Sequence, residues 1–161
     1  MEGDVFLWMC FFCNNQHRIL NNSVSTGTSE LKKVFEAHLT SIGQMIIIMN
    51  DFIQPIYVTR VWCVFETFAA IENEIEPVIV LPDEAEEKLQ QQIKTAGLGD
   101  FLHHFQRMDV EAAEASSKSD EQSIKDLIRR TVGFERVNSS VKKKLMSWVS
   151  GAVTKFLSEQ T

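Results

Sequence analysis

Residues 44–50, QMIIIMN, and 76–81, EPVIVL, decide the fold class. Three isoleucines run in succession in the first, and V-I-V repeats the pattern in the second. Apolar, β-branched runs of this length without polar alternation predict strands buried on both faces, as in a parallel sheet. Between them lies TRVWCVFETFAAIEN, residues 59–73. Thr59 is the expected cap of a helix that is apolar nearly all round. Strand, buried helix and strand make a βαβ unit, so the chain is expected to be α/β.

The reading extends outward from this unit. Upstream, Ser29 is expected to cap a helix over 30–42, with Leu31, Val34, Phe35, His38, Leu39 and Ile42 at helical spacing and Gly43 at its end. Before it, residues 5–12 (VFLWMCFF) predict a further doubly buried strand, and the polar residues 14–28 a long loop. Downstream, Pro82 stops the second strand. Residues 83–95 predict an acidic helix carrying Leu89 and Ile93 inward, ended by Gly97 and Gly99. Residues 101–105 suit a short helical turn and 106–110 a short final strand. Residues 118–132 predict a helix ended by Gly133. Asn138 is the expected cap of a last amphipathic helix to about residue 157, with Val141, Leu145, Trp148, Val149, Ala152, Val153 and Phe156 on one face. The expected division is an α/β domain over 1–134 and a helical extension over 135–161.

Composition narrows the function. The chain has 161 residues and a net charge of −6, which disfavours a general nucleic-acid or anionic-membrane binder. Residues 135–161 carry five Lys or Arg against two Glu and are basic, so the acidity lies upstream. No apolar run approaches the roughly 20 residues of a membrane span. The acidic start (Glu2, Asp4) does not fit a secretory signal. Three cysteines without such a signal predict reduced thiols and an intracellular, cytoplasmic setting.

Several chemistries drop out on spacing. Neither G-x-G-x-x-G nor G-x-x-x-x-G-K-[ST] occurs. The acidic pair and late lysine of a phosphoreceiver domain are missing. Cys10, Cys13 and His17 form C-x2-C-x3-H, but a structural zinc needs four ligands, and residues three apart on a strand face opposite ways. No metal is expected. The C-x-x-C follows a strand, whereas a redox pair needs a helix N-terminus to lower its thiol pKa. His103 and His104 read as a surface turn.

Glu66 stands out. It is the single charged residue between Arg60 and Glu72, on a narrow stripe with Thr59, Cys63, Thr67 and Ala70. A carboxylate on a buried helix reaches solvent, finds a partner or titrates abnormally. From periodicity alone, a glutamate at the helix's one wet edge is the favoured reading.

The run 45–82, MIIIMNDFIQPIYVTRVWCVFETFAAIENEIEPVIVLP, resembles the central part of a TIR (Toll/interleukin-1 receptor) domain: a buried strand, a loop, a helix opening with W-C-x-x-E, and a second buried strand ending near Pro. The signature residues here are Trp62, Cys63 and Glu66. The upstream WMCFFCNNQH resembles a TIR-like group from protists and algae. This resemblance implies a flavodoxin-like parallel sheet of about four strands flanked by helices. Some members of the family hydrolyse NAD at the nicotinamide–ribose bond with the helix glutamate, which maps to Glu66. A carboxylate there would stabilise an oxocarbenium-like centre. The residues expected around the nucleotide are Asn14, Asn15, Gln16, His17, Asp51, Trp62 and Cys63. NAD would be a substrate, and no cofactor is expected. Other members act by self-association or by docking protein partners.

The family's domains begin with a strand and loop ahead of the segment matched by 5–12, and four residues stand there in this chain. The expectation is a shortened or divergent member. A non-catalytic interaction or assembly module is the first reading, an NAD glycohydrolase using Glu66 the second. The third is a structural subunit of a larger complex, for which Phe11, Phe12, Phe52, Tyr57 and Trp148 would form an exposed apolar patch.

Overall fold

The structure is a computed structural model that describes residues 28–51, 55–95, 97 and 99–159. The expected strand over 5–12 and the cysteines at 10 and 13 lie outside these residues. Helix α1 spans Thr28–Ile42, so Ser29 stands within it and does not cap it. Gly43, at φ +70°, ends it and donates to the Leu39 carbonyl at 2.8 Å. β1 follows over Ile46–Ile48.

Pro55 opens a single turn, α2, over Ile56–Thr59, and the buried helix α3 runs over Val61–Glu72. Thr59 does not cap α3. Its hydroxyl donates back to the Ile56 carbonyl at 2.8 Å, and the extended Arg60 takes the N-cap position. The chain over 113–115 satisfies the helix start: Val61 N–H donates to the Glu114 carbonyl at 3.0 Å, and Glu114 N–H to the Thr59 carbonyl at 2.8 Å. At the other end, the Asn73 side chain donates to the Ala69 carbonyl at 2.8 Å.

β2 over Val78–Val80 pairs parallel with β1 in the register Ile46–Val78, Ile47–Ile79, Ile48–Val80. Helix α4 covers Asp83–Thr95, α5 Gly99–Gln106, α6 Lys118–Thr131 and α7 Phe134–Glu159. The chain thus combines helices with a small parallel sheet of two strands among the described residues. None of the described helices is long and apolar enough to cross a membrane.

The expected strand over 106–110 is a turn. Asp109 Oδ1 accepts the Glu111 N–H at 3.0 Å, and the Asp109 carbonyl accepts from Ala112 and Ala113. Local side-chain bonding of this kind competes with a ladder. Asn138, read as a helix cap, lies inside α7 and holds this turn: its Oδ1 accepts the Val110 N–H at 2.9 Å and its Nδ2 donates to Asp109 Oδ1 at 3.0 Å.

The core lies between the sheet and the helices. Ile47 and Ile79 point into it, with Val64, Phe65 and Phe68 of α3, Ile124 and Ile128 of α6, and Val137, Val141, Leu145 and Val149 of α7. Helix α3 packs on α7, α6 and α1. Outside the core, α7 is fastened by ion pairs from Arg136 to Glu72, Lys144 to Glu76 and Lys155 to Glu86, at 2.6, 2.6 and 3.5 Å. The basic character of this segment therefore meets the chain's own acidic residues. Lys94 of α4 also sits 5.4 Å from the Phe156 ring centroid.

The strands are not buried on both faces. Ile47 is 1% exposed, whereas Ile46 and Ile48 are 49% and 57% exposed; Val78 and Val80 are 45% and 43% exposed beside them. The helices α3, α6 and α7 all share the Ile47–Ile79 side, so the other face is left open among the described residues.

Candidate functional site

The polar stripe of α3 is where the sequence places chemistry. Helical spacing stacks Cys63, Glu66 and Thr67 on adjacent turns. Opposite them the α2 turn presents Tyr57, the chain's single tyrosine. Tyr57 Oη lies 2.7 Å from Thr67 Oγ1, and both hydroxyls reach the Cys63 carbonyl, at 3.0 and 2.9 Å. Thr67 is fully buried. Two hydroxyl protons serve three contacts, so one is shared; the cluster is closed and stabilises the helix against the turn.

Burial sets the titration here. It pushes the Tyr57 phenol well above its ordinary range, eased by the Thr67 bond. The Cys63 thiol rises to about 11, through burial first and the Glu66 charge second. At neutral pH it is a thiol and a poor nucleophile. Glu66 is partly buried, and desolvation raises its carboxyl to about 7, opposed by the nearby Arg60. Periodicity alone favours a fully wet edge for this residue; the structure instead half-buries it, and desolvation gives it the abnormal titration that is the alternative for a carboxylate on an apolar helix.

The remaining site residues are placed unevenly. Trp62 is partly buried and meets Phe65 edge to face at 6.5 Å, a packing role. Asp51 is exposed at the carboxyl end of β1. Asn14, Asn15, Gln16 and His17 lie outside the described residues, as do Phe11, Phe12 and Phe52 of the expected apolar patch. Tyr57 and Trp148, its other two members, are partly buried against the core. Among the described residues, exposed large apolar side chains stand instead at Ile46, Ile48, Val78 and Val80 of the sheet, and also at Val34, Ile42, Ile56 and Leu157. Tyr57 and Arg60 are the residues the helical stripe alone did not single out; the one signal for Tyr57 was its position beside Pro55, in a turn leading into the helix.

Four clefts of about 410–480 Å³ are formed by the described residues. One lies at Thr59, Arg60, Glu114 and Ser116, a second between β2, α4 and α7, a third beside Ile56 and Asp109, and a fourth at Pro77 and Lys143. Glu66, Cys63 and Trp62 line none of these four. No group of three His, Cys, Asp or Glu among the described residues is placed to hold a metal ion. Next to the chain that closes the start of α3, Glu121 accepts from Lys118 and Lys125, each at 2.9 Å, and from the Ala115 N–H, which hold its carboxyl down at about 2. This is a start device for α6 together with the Ser117 cap, and not a reactive pair. Compared with known proteins, the chain matches no family model, no curated protein and no solved structure.

Proposed function

We propose that the chain is a TIR-like interaction or assembly module, non-catalytic, acting through its sheet by self-association or by docking a protein partner. In this reading β1 and β2 belong to a flavodoxin-like sheet of about four strands. The observation that carries it is the row of Ile46, Ile48, Val78 and Val80, side by side in register and each more than two-fifths exposed. An open apolar sheet face is a liability unless something covers it. Sedimentation velocity tests it. The parent chain is expected to associate, and Ile48→Thr with Val80→Thr to be monomeric at unchanged helicity, since threonine keeps the strand preference and removes apolar surface. A parent that stays monomeric up to about 1 mM, a concentration at which contacts as weak as roughly 4 kcal/mol are seen, overturns self-association.

A second reading is favoured by one observation, the Glu66 carboxyl at about 7 beside W-C-x-x-E. As an NAD glycohydrolase the chain would need Glu66 ionised to stabilise the oxocarbenium-like centre. Nicotinamide release is then expected to rise with pH through about 7. Glu66→Ala is expected to lower it by about a hundredfold or more. No release from NAD, or equal release by parent and variant, overturns this reading.

A further inference from the structure

Beside the carboxyl end of β2 a cleft of about 420 Å³ opens between α4 and α7. Open parallel sheets bind ligands beyond the carboxyl ends of their strands, and this volume falls within the roughly 300–1,000 Å³ of small-molecule sites. Its wall is apolar: Ile79 and Leu81 come from the end of β2, Leu89 and Ile93 from α4, Trp148 and Phe156 from α7. Such a wall offers a bound apolar group shelter from water and two aromatic rings to pack on.

Gly151 lines the same cleft. It stands in the interior of α7, where glycine is the poorest helix former after proline. A Cβ at this position would meet nothing within 4 Å, so no contact among the described residues requires a glycine here. It falls three residues after Trp148 and four before Lys155, on the stripe of α7 that faces the cleft. Glycine suits a place where the backbone must let a ligand approach closely, and the missing side chain is part of the open volume.

The mouth is polar. Glu86, Gln90 and Lys94 follow one another at successive turns of α4, and Lys155 of α7 meets Glu86 at 3.5 Å. Lys94 lies 5.4 Å from the centroid of the Phe156 ring. Of the charged groups that line the cleft or rest on its Phe156 wall, two are ammoniums and one is a carboxylate. The rim is therefore net positive above an apolar wall, a combination that complements an anionic head on an apolar body.

We propose that this cleft is a binding site for a small amphiphile with an apolar body and a single anionic head, of the medium-chain carboxylate class. The body lies along Gly151 against Trp148 and Phe156, and the head meets Lys155 and Lys94 at the mouth. The site is separate from the association reading, which uses the open face of the sheet; Val80 borders both and is left out of the readout.

Decanoate, kept below its micelle concentration, is the probe, and methyl and amide chemical shifts of the full chain are the readout. Saturable shifts are expected at Leu89, Ile93 and Ala152, with Ile46 and Ile48 unmoved. Gly151→Leu fills the cleft with a better helix former, and is expected to weaken decanoate by about tenfold or more without lowering the melting temperature. Lys155→Glu, at an exposed position, is expected to weaken decanoate by about tenfold and decanol far less. Absence of saturable shifts, shifts centred on Ile46 and Ile48, or equal affinity in the parent and Gly151→Leu overturns the site. Decyltrimethylammonium bound as tightly as decanoate overturns the anionic head. If Gly151→Leu does not fold, Lys155→Glu decides: decanoate held as tightly as by the parent overturns the proposal.

Discussion

A chain ending at Gly133 is expected to lose its cooperative unfolding transition, and Leu145→Ala alone to cost about 3 kcal/mol. The reason is where α7 puts its apolar face. Val137, Val141, Leu145 and Val149, spaced by four, are each no more than 4% exposed, and they meet α3, the helix at the centre of the core. Removing α7 uncovers the side of α3 on which it packs and leaves the Val110 N–H without its Asn138 acceptor. The three ion pairs of α7 are exposed on at least one side and fix its setting more than its energy. For a chain of this length, 3 kcal/mol moves the midpoint by roughly 6–12 °C, which a circular-dichroism melt resolves. A 1–133 chain melting cooperatively near the parent temperature would mean that residues 135–161 are an extension after all.

Local chemistry was legible where it acts alone. Helix α4 occupies 83–95 as read, because Asp83, Glu84 and Glu86 suit its first turn and Gly97, at φ +73°, lets the chain turn out of it. Helix α6 follows the expected 118–132 and ends before Gly133, at φ +79°, for the same kind of reason, while its Ser117 cap is a finding of the structure. The two strands were located but misjudged in burial. Consecutive isoleucines say that a strand tolerates burial on both faces; what covers the second face is decided by elements far away in sequence, and three helices chose the same side. Residues 106–110 suit a strand by local pattern, because the asparagine that holds the turn at Asp109 lies 29 residues on. That partner in turn looked like a cap, since Asn is a good cap wherever a helix start is unseen, and α7 follows Gly133 with no loop to announce it.

The candidate site divides in the same way. The stripe of Cys63, Glu66 and Thr67 follows from helical periodicity and was visible in the sequence. Its closure by Tyr57 was not, because that contact depends on how the turn after Pro55 folds back on α3. The closure matters for the chemistry. It occupies Thr67 and the Cys63 carbonyl with each other and with Tyr57, and leaves Glu66 as the polar group of the stripe whose charge is most out of place.

Glu66→Gln is expected to stabilise the chain above neutral pH and to leave it unchanged in acid. In the unfolded chain this carboxyl ionises near 4.5; in the folded chain it holds its proton to about 7. Between those values the folded state binds a proton that the unfolded state has released, so stability falls as pH rises through the window and is flat on either side. The difference between those two values corresponds to about 3 kcal/mol, and partial exposure of the side chain reduces it to about 2 kcal/mol. Glutamine keeps the size and never ionises, so the variant lacks this slope. Urea midpoints at pH 4 and pH 8 read the contrast: parent and variant are expected to coincide at pH 4, and the variant to lead by about 2 kcal/mol at pH 8, or roughly 4–8 °C in melting temperature. A gap of the same size at both values would mean that the carboxylate is satisfied when charged, with Arg60 as the group to do it. Desolvation outweighs that cation in this structure because Arg60 is itself exposed at the helix start and its charge is spent largely on water.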